Sequence, residues 1–382
     1  MNSFLWKIYL YKFLDAFKLI GAIFVLLFQQ NGLNPFQISL LIGIWSATQL
    51  LLEVPTGVVA DRYPRRNVLI VAMLVIALGY TFWLKGGFIF YGLGMVMWGV
   101  KNALTSGTFE SFVYDGLKSE GRQENYGKVN GQSEGAFQVG LMFSAVIGGI
   151  LAQYSFNLVL IFSIISSILA ALILFTIKSV RPILSTGETK YFSILKNAVK
   201  EIKSSPLILS IILFISLIFG ISGSADEFWP LIFGNLGANT AFIGTLIAIE
   251  FAMFALSGYS FQYWNKLKFK HWKYILVVAS GLLFIIFGLG KSLLLLPLVF
   301  IASYLLKLAL VKFDTDLQHA VSSDQRATVL SLKALIFEIV YLITLLMFGF
   351  ISTRLGILSI LYIWGAVIIF WTLVFSLRKN KL

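Results

Sequence analysis

Twelve apolar runs, each about 20 residues or longer, recur from one end of the chain to the other. A helix needs about 20 mostly apolar residues to cross a hydrocarbon core, so this repetition constrains the fold more than any motif does. The runs fall at roughly 4–28, 37–60, 67–86, 88–112, 128–153, 156–177, 206–231, 239–262, 272–290, 292–312, 327–351 and 356–377. Composition excludes the soluble alternative. Only 12% of the 382 residues are charged, against roughly a quarter in a soluble domain, and mean hydropathy is +0.88. Too little polar surface remains to cover a water-facing globule. With no cysteine there is no disulfide scaffold, thiol nucleophile or thiolate metal site, and His271 and His319 are too few for a histidine metal centre. No cofactor is expected.

The formal charge of +13 could suggest nucleic acid. Its placement argues otherwise. Of the 30 Lys and Arg residues, 21 lie in gaps or at run edges on one side of the membrane, 3 (Lys85, Lys291 and Arg354) lie so on the other, and six lie deeper within runs. Positive residues stay on the cytoplasmic side, so both termini are expected inside, in a multi-pass plasma (inner) membrane protein. The basicity is a topology signal and no nucleic-acid partner is expected. The first run carries Lys12, Asp15 and Lys18 and has no small-residue cleavage pattern, so it reads as a mature helix rather than a signal peptide.

The longest polar stretch, 178–205, divides six runs from six. It contains a basic amphipathic segment, Phe192–Lys203, suited to the membrane surface. The expected organisation is an N-terminal six-helix half (1–177), a cytoplasmic linker (178–205) and a C-terminal six-helix half (206–382). At an offset of 201, Gly57 meets Gly258, Asp115 meets Asp316 and Gly148 meets Gly349. These matches support a 6+6 duplication, an architecture of transporters.

Loop motifs sharpen the reading. Gly57-Val-Val-Ala-Asp61-Arg62-Tyr-Pro64-Arg65-Arg66 follows the second run, preceded by Glu53-Val-Pro55-Thr-Gly57. Gly131, Gly140, Gly148 and Gly149 lie in the fifth, with Ser144-Ala145 between them. The first segment resembles the loop signature of the major facilitator superfamily, with Pro64 where that family usually has Gly. The glycines resemble its antiporter motif, with Ser144-Ala145 in place of Gly-Pro. Glu110-Ser-Phe-Val-Tyr-Asp115 and Arg326-Ala-Thr-Val-Leu-Ser331 are similar to loops of bacterial drug-efflux members. The resemblance implies an all-α membrane protein of twelve transmembrane helices in two six-helix pseudo-repeats around a central cavity. It also implies a secondary transporter, acting as a monomer, that exchanges protons for a hydrophobic or amphipathic small molecule by alternating access.

Individual residues then acquire expected roles. Gly57 permits close approach of a neighbouring helix. Asp61 can meet a facing helix N-terminus, in the family reading near Arg326–Thr328, while Arg62 and Arg66 can pair with Asp115, forming a latch; Arg65 is expected to serve topology alone. Charges within spans are costly and usually functional. Asp15 in span 1 and Lys101 in span 4 lie near the midplane of segments that line the cavity in this superfamily, so they can meet. Alternatively, Lys12 and Lys18 neutralise Asp15 locally. Lys307 is also deep, as are Glu134, Glu250 and Glu338, acids with no obvious partner within one turn; Asp15 is the first candidate for carrying the proton, releasing Lys101 when protonated, and Glu250 and Glu338 come second. Trp45, Trp98 and Phe109 lie at a depth suited to an apolar ligand. An importer or lipid flippase of the same fold is the alternative, and the mixed-sign charges leave room for an anionic substrate. A membrane-embedded enzyme lacks a reactive constellation. No G-x-x-x-x-G-K-[ST] loop is present, so ATP is not expected to drive the cycle.

Overall fold

The computed structural model describes residues 3–178, 206–267, 269, 271–321 and 326–379. The amphipathic segment Phe192–Lys203 lies outside them. All regular structure among the described residues is helical, as expected where no water competes for backbone groups. The chain divides into two compact units. The first comprises Met1–Leu33, Leu40–Glu188 and Asn239–Ala248; the second comprises Asn34–Ser39, Thr189–Ala238 and Ile249–Leu382.

Eight helices precede the linker: α1 (Ser3–Ala16), α2 (Phe24–Gln30), α3 (Pro35–Arg62), α4 (Arg65–Trp83), α5 (Phe88–Thr105), α6 (Thr108–Ser119), α7 (Tyr126–Ala152) and α8 (Phe156–Phe175). Six follow it: α9 (Pro206–Asn235), α10 (Thr240–Trp264), α11 (Trp272–Gly290), α12 (Leu296–Ala320), α13 (Arg326–Leu355) and α14 (Ser359–Lys379). Ten of these are long and apolar enough to cross a membrane. The four that are not are α1, α2 and α6, which are short, and α5, whose 18 residues include Lys101 and Asn102; the first and fourth apolar runs, expected as continuous helices, are each broken in two. Hydropathy reads an unwound apolar stretch as it reads a helix.

In the first unit α4 packs against α5 and α8, and α1 packs against α7 and α8. Ile8, Tyr11, Met73, Phe109, Phe112, Leu117 and Leu174 form one buried cluster, in which Tyr11 stacks on Phe109 at 5.8 Å. In the second unit α11 packs against α12 and α14, and α9 packs against α13. Helix α8 buries Ser163, Ser166 and Ser167 alongside Val159, Leu160, Ala170 and Leu174, and exposes Ile161, Phe162, Ile165, Leu169 and Leu172. Apolar side chains can face lipid tails at no cost, so its small polar residues are free to face the protein.

Local sequence chemistry sets the ends. Asn34 and Gln37 cap α3 reciprocally, each side chain accepting from the other's backbone N–H at 2.9 and 3.0 Å, which is the logic of a capping box. Pro64 (φ −54°) stands just before α4, where its missing N–H costs nothing.

Candidate functional site

The first break, residues 17–23, separates α1 from α2. Unwound backbone in an apolar interior needs partners, and small side chains of α7 and α8 provide them. The Lys18 carbonyl accepts from Gly21 N–H at 2.8 Å and from Ser144 Oγ at 2.8 Å. Ile20 N–H donates to Ser163 Oγ at 3.0 Å, and Ser166 Oγ donates to the Leu14 carbonyl at 2.9 Å. Gly140 and Gly148 flank Ser144 at four-residue spacing, which places all three on one helical face. A Cβ on Gly140 would lie 2.6 Å from the Phe13 carbonyl oxygen, and one on Gly148 3.1 Å from the Leu19 carbonyl carbon. These glycines therefore form the seat of the broken segment. Gly149 is turned away, toward Thr240 and Gly244. Gly131, expected to pack a helix, has open space around it.

The second break separates α5 from α6. Thr105 Oγ1 donates back to the Lys101 carbonyl at 3.0 Å, Ser106 is extended (φ −58°, ψ 122°), and Gly107 adopts φ +67°. Back-bonding hydroxyls compete with the helical ladder, and only glycine enters the left-handed region without strain.

Three charged residues converge on the two breaks. Asp15 is in the last turn of α1, Lys18 is inside the first break, and Lys101 is in the last turn of α5. Lys18 Nζ donates to Asp15 Oδ1, and Lys101 Nζ reaches the same carboxylate at 2.9 Å (Oδ1) and 3.1 Å (Oδ2). All three are buried. The midplane pairing and the local neutralisation coexist. Two ammonium groups share one carboxylate, and among the described residues Asp15 is the only acid within ion-pair reach of either lysine. One turn before Lys101, Trp98 lies beside Trp45 of α3 with ring centroids 6.2 Å apart, and Asn102 donates to Gln49 at 3.1 Å.

The second unit carries a different arrangement on unbroken helices. Lys307 (α12) meets Asp226 (α9) at 3.3 Å and lies 5.2 Å from the centre of the Phe254 ring. Asp226 also accepts from Trp229 Nε1 at 3.3 Å, which gives it two partners. Glu250 (α10) is buried at 4% exposure. Its Oε1 accepts from Ser303 Oγ at 2.7 Å, and its buried Oε2 has no hydrogen-bond partner. Glu338 is half-buried on α13, and Lys333, five residues before it, pairs with Asp314.

Several expected pairings are redrawn. Asp115 pairs with Arg65, not with Arg62 or Arg66, because α4 starts at Arg65 and its first turn faces the end of α6. Arg66 instead donates to the Ile177 carbonyl at 3.0 Å beyond the end of α8. Arg62 and Asp61 are exposed at the end of α3, and the side chains of Arg326–Thr328 lie outside the described residues. Gly57 has open space where a neighbouring helix was expected. Glu134 is not unpaired: it meets Lys12, across α7 and α1, at 2.6 Å and is half exposed. Sequence reasoning missed both breaks and their serine donors, although Thr105-Ser106-Gly107-Thr108 carries a breaker signal.

Comparison with known proteins agrees with this architecture. The family description of the Major Facilitator Superfamily matches residues 9–311. A protein of Buchnera aphidicola subsp. Schizaphis graminum, described as an uncharacterized transporter, is 28% identical over 171 residues, covering 44% of this chain and 42% of that relative. The chain thus matches less than half the length of that relative. The nucleoside transporter NupG superposes with a TM-score of 0.82 at 14% identity, over 98% of both chains. A bacterial homologue of the human lysosomal transporter Spinster, in an inward-facing and occupied conformation, gives a TM-score of 0.77 at 15% identity over 100% of this chain and 96% of that one. At such identities these structures share the fold alone. With the family matched over residues 9–311 and a helical, multi-pass architecture, the chain belongs to the major facilitator superfamily, a family of transporters and not of enzymes.

Proposed function

We propose that this transporter is a proton-coupled exporter of an amphipathic small molecule, working by alternating access across the inner membrane as a monomer with both termini inside. In this reading α1 with α2, and α5 with α6, each form one span, giving twelve spans in two halves of six, 1–177 and 206–382, joined by 178–205. The neighbour pattern supports the duplication: α4 with α5 and α8 corresponds to α11 with α12 and α14, and α1 with α7 to α9 with α13. So does the ion pairing. Arg65 at the start of α4 holds Asp115, and Lys273 in the first turn of α11 holds Asp316, which Lys312 also meets at 2.9 Å.

The observation that carries the reading is the burial of Asp15, Lys18 and Lys101 at two helix breaks. Charges at membrane depth are costly, and discontinuous helices mark substrate and ion sites in transporters. The two units divide the labour: the lysine-rich trio serves the substrate and Glu250 carries the proton. Protonating Asp15 would leave two buried ammonium groups facing each other. Glu250 can take a proton while keeping its Ser303 bond, and no ion pair within 4 Å is lost. Glu134, already paired with Lys12, and Glu338 are secondary acids. Asp61, with Gly57, Arg62 and Arg66, retains the role of a latch on the cytoplasmic end, in which Arg65 rather than either neighbour secures Asp115.

Purified protein in liposomes with an internal pH dye tests this. An imposed pH gradient should drive substrate movement, and a protonophore should stop it; movement indifferent to both would overturn the reading. Ser144, standing where the antiporter motif has Gly-Pro, favours import as the second reading, and the direction of proton flux decides between them. Because the chain lacks cysteine, single cysteines at Lys85, Lys291 or Arg354 should react with an impermeant maleimide from outside, and one at Arg122 should not. The reverse labelling would invert the orientation.

A further inference from the structure

The charge balance of the first unit's site carries a statement about what it binds. With both lysines protonated, two ammonium groups on one carboxylate leave one surplus positive charge, and a buried charge without a counter-ion is among the costliest features a membrane protein can hold. The surplus lies beside aromatic surface. Trp98 is one turn from Lys101 on α5, its ring 5.7 Å from Phe24 at the start of α2 and 6.2 Å from Trp45. Trp45 and Trp98 are only partly covered. Two buried polar groups of this wall have no partner, Trp45 Nε1 and the Tyr80 hydroxyl, and the Tyr80 ring lies 6.1 Å from Trp98. Orphaned donors of this kind call for an explanation.

We propose that Lys18 and Lys101, together with Trp45 and Trp98, bind an amphipathic organic monoanion, whose acid group supplies the missing negative charge and whose apolar body lies on the indole wall. This rests on the reading of the protein as a small-molecule transporter and adds the charge class of its substrate. Asp15 is then a placeholder: it holds the two ammonium groups apart and oriented, and the arriving anion completes their coordination. A cationic drug would meet like charge here, and a neutral one would leave the surplus unanswered.

The test is equilibrium binding to the purified full-length protein in nanodiscs, with no gradient, using three matched probes: tritiated 2-naphthoate, 2-naphthamide and 2-naphthylmethylamine. The carboxylate should bind at least about tenfold more tightly than the other two, the scale of one charge-assisted bond. Equal binding of all three, or preference for the amine, overturns the proposal.

A charge series refines it. Lys101→Met brings the trio to zero net charge and should weaken naphthoate binding about 10- to 100-fold, whereas Lys101→Arg, which keeps the charge, should stay within a few-fold. The double variant Asp15→Asn with Lys18→Gln keeps a single positive charge, on Lys101, and should bind naphthoate more weakly than the parent but more tightly than Lys101→Met; binding no tighter than in Lys101→Met would overturn the charge argument. Naphthoate binding unchanged in Lys101→Met places the anion elsewhere and overturns the assignment. Loss of naphthoate binding on adding phosphatidylglycerol to the discs would assign the site to a lipid headgroup instead, which also overturns it. Should a variant not fold, the three probes on the unmodified protein still decide. Because binding is measured without a gradient, failure of proton coupling in liposomes leaves this result intact, and failure here leaves the coupling reading intact.

Discussion

The two units bury charge in opposite ways. In the first, the charged residues sit at breaks in α1–α2 and α5–α6, and serine hydroxyls hold the first of these. Every charged group there has a charged partner. In the second, the helices run unbroken through the charged layer, and the acid at its centre, Glu250, has one hydroxyl donor and one oxygen with none. A carboxylate held by two ammonium groups resists protonation, because a proton added to Asp15 strands both lysines. A half-paired carboxyl does not. In the proposed function, the contrast separates a group that meets a ligand's charge from a group that exchanges a proton.

The sharpest way to break this comparison is Glu250→Gln. It keeps shape and the Ser303 contact and removes the titratable group. Gradient-driven movement should fall to the protein-free background while substrate exchange without a gradient persists, at a rate that no longer varies with pH. If Asp15→Asn gives that uncoupled behaviour and Glu250→Gln does not, the assignment of the two units is reversed.

The next largest effect is confined to the first unit. Gly148→Val drives a branched side chain into the Leu19 backbone, which cannot move aside, and should cost about 3 kcal/mol or more, read as a lower unfolding temperature or loss of monodisperse protein. Gly131→Ala, in open space on the same helix, should be neutral within about 0.5 kcal/mol. Equal effects at the two positions would remove the seat for the break.

Ser144→Ala withdraws one of the two donors to the Lys18 carbonyl and should cost about 1 kcal/mol, lowering the unfolding temperature by a few degrees and loosening substrate binding with it. A fall in stability with unchanged binding would uncouple the break from the site. The smallest effect is expected for Arg65→Gln. Its pair with Asp115 is part-exposed on both sides, and such pairs are worth about 1 kcal/mol or less. Transport should slow mildly, and only Arg65, not Arg62, should show it.

How much of this was legible in the sequence follows from physical range. The spans were legible because hydropathy is a local sum, and Asp15, Lys101 and Glu250 stood out because a charge in an apolar run has no local explanation. The breaks were not, since apolar composition is the same for helix and for unwound backbone; only Gly107 and its hydroxyl neighbours signalled one. The Glu134–Lys12 pair joins residues 122 positions apart in chain, beyond any periodicity. Arg62, Arg65 and Arg66 are chemically near-identical, and which one meets Asp115 depends on where Pro64 starts α4, a matter of rotational phase finer than boundary prediction reaches.

The alignment of Gly140, Ser144 and Gly148 on α7 has a consequence for how this helix can change over time. Each of the three positions tolerates only small side chains, yet the stricter constraint is on length. One residue inserted between 140 and 148 would rotate everything beyond it by about 100°. Gly140 would still face Phe13, but Gly148 would swing off the Leu19 carbonyl and a bulkier neighbour would take its place. Within this stretch α7 behaves as a measuring rod, open to exchange among small residues and closed to insertion or deletion.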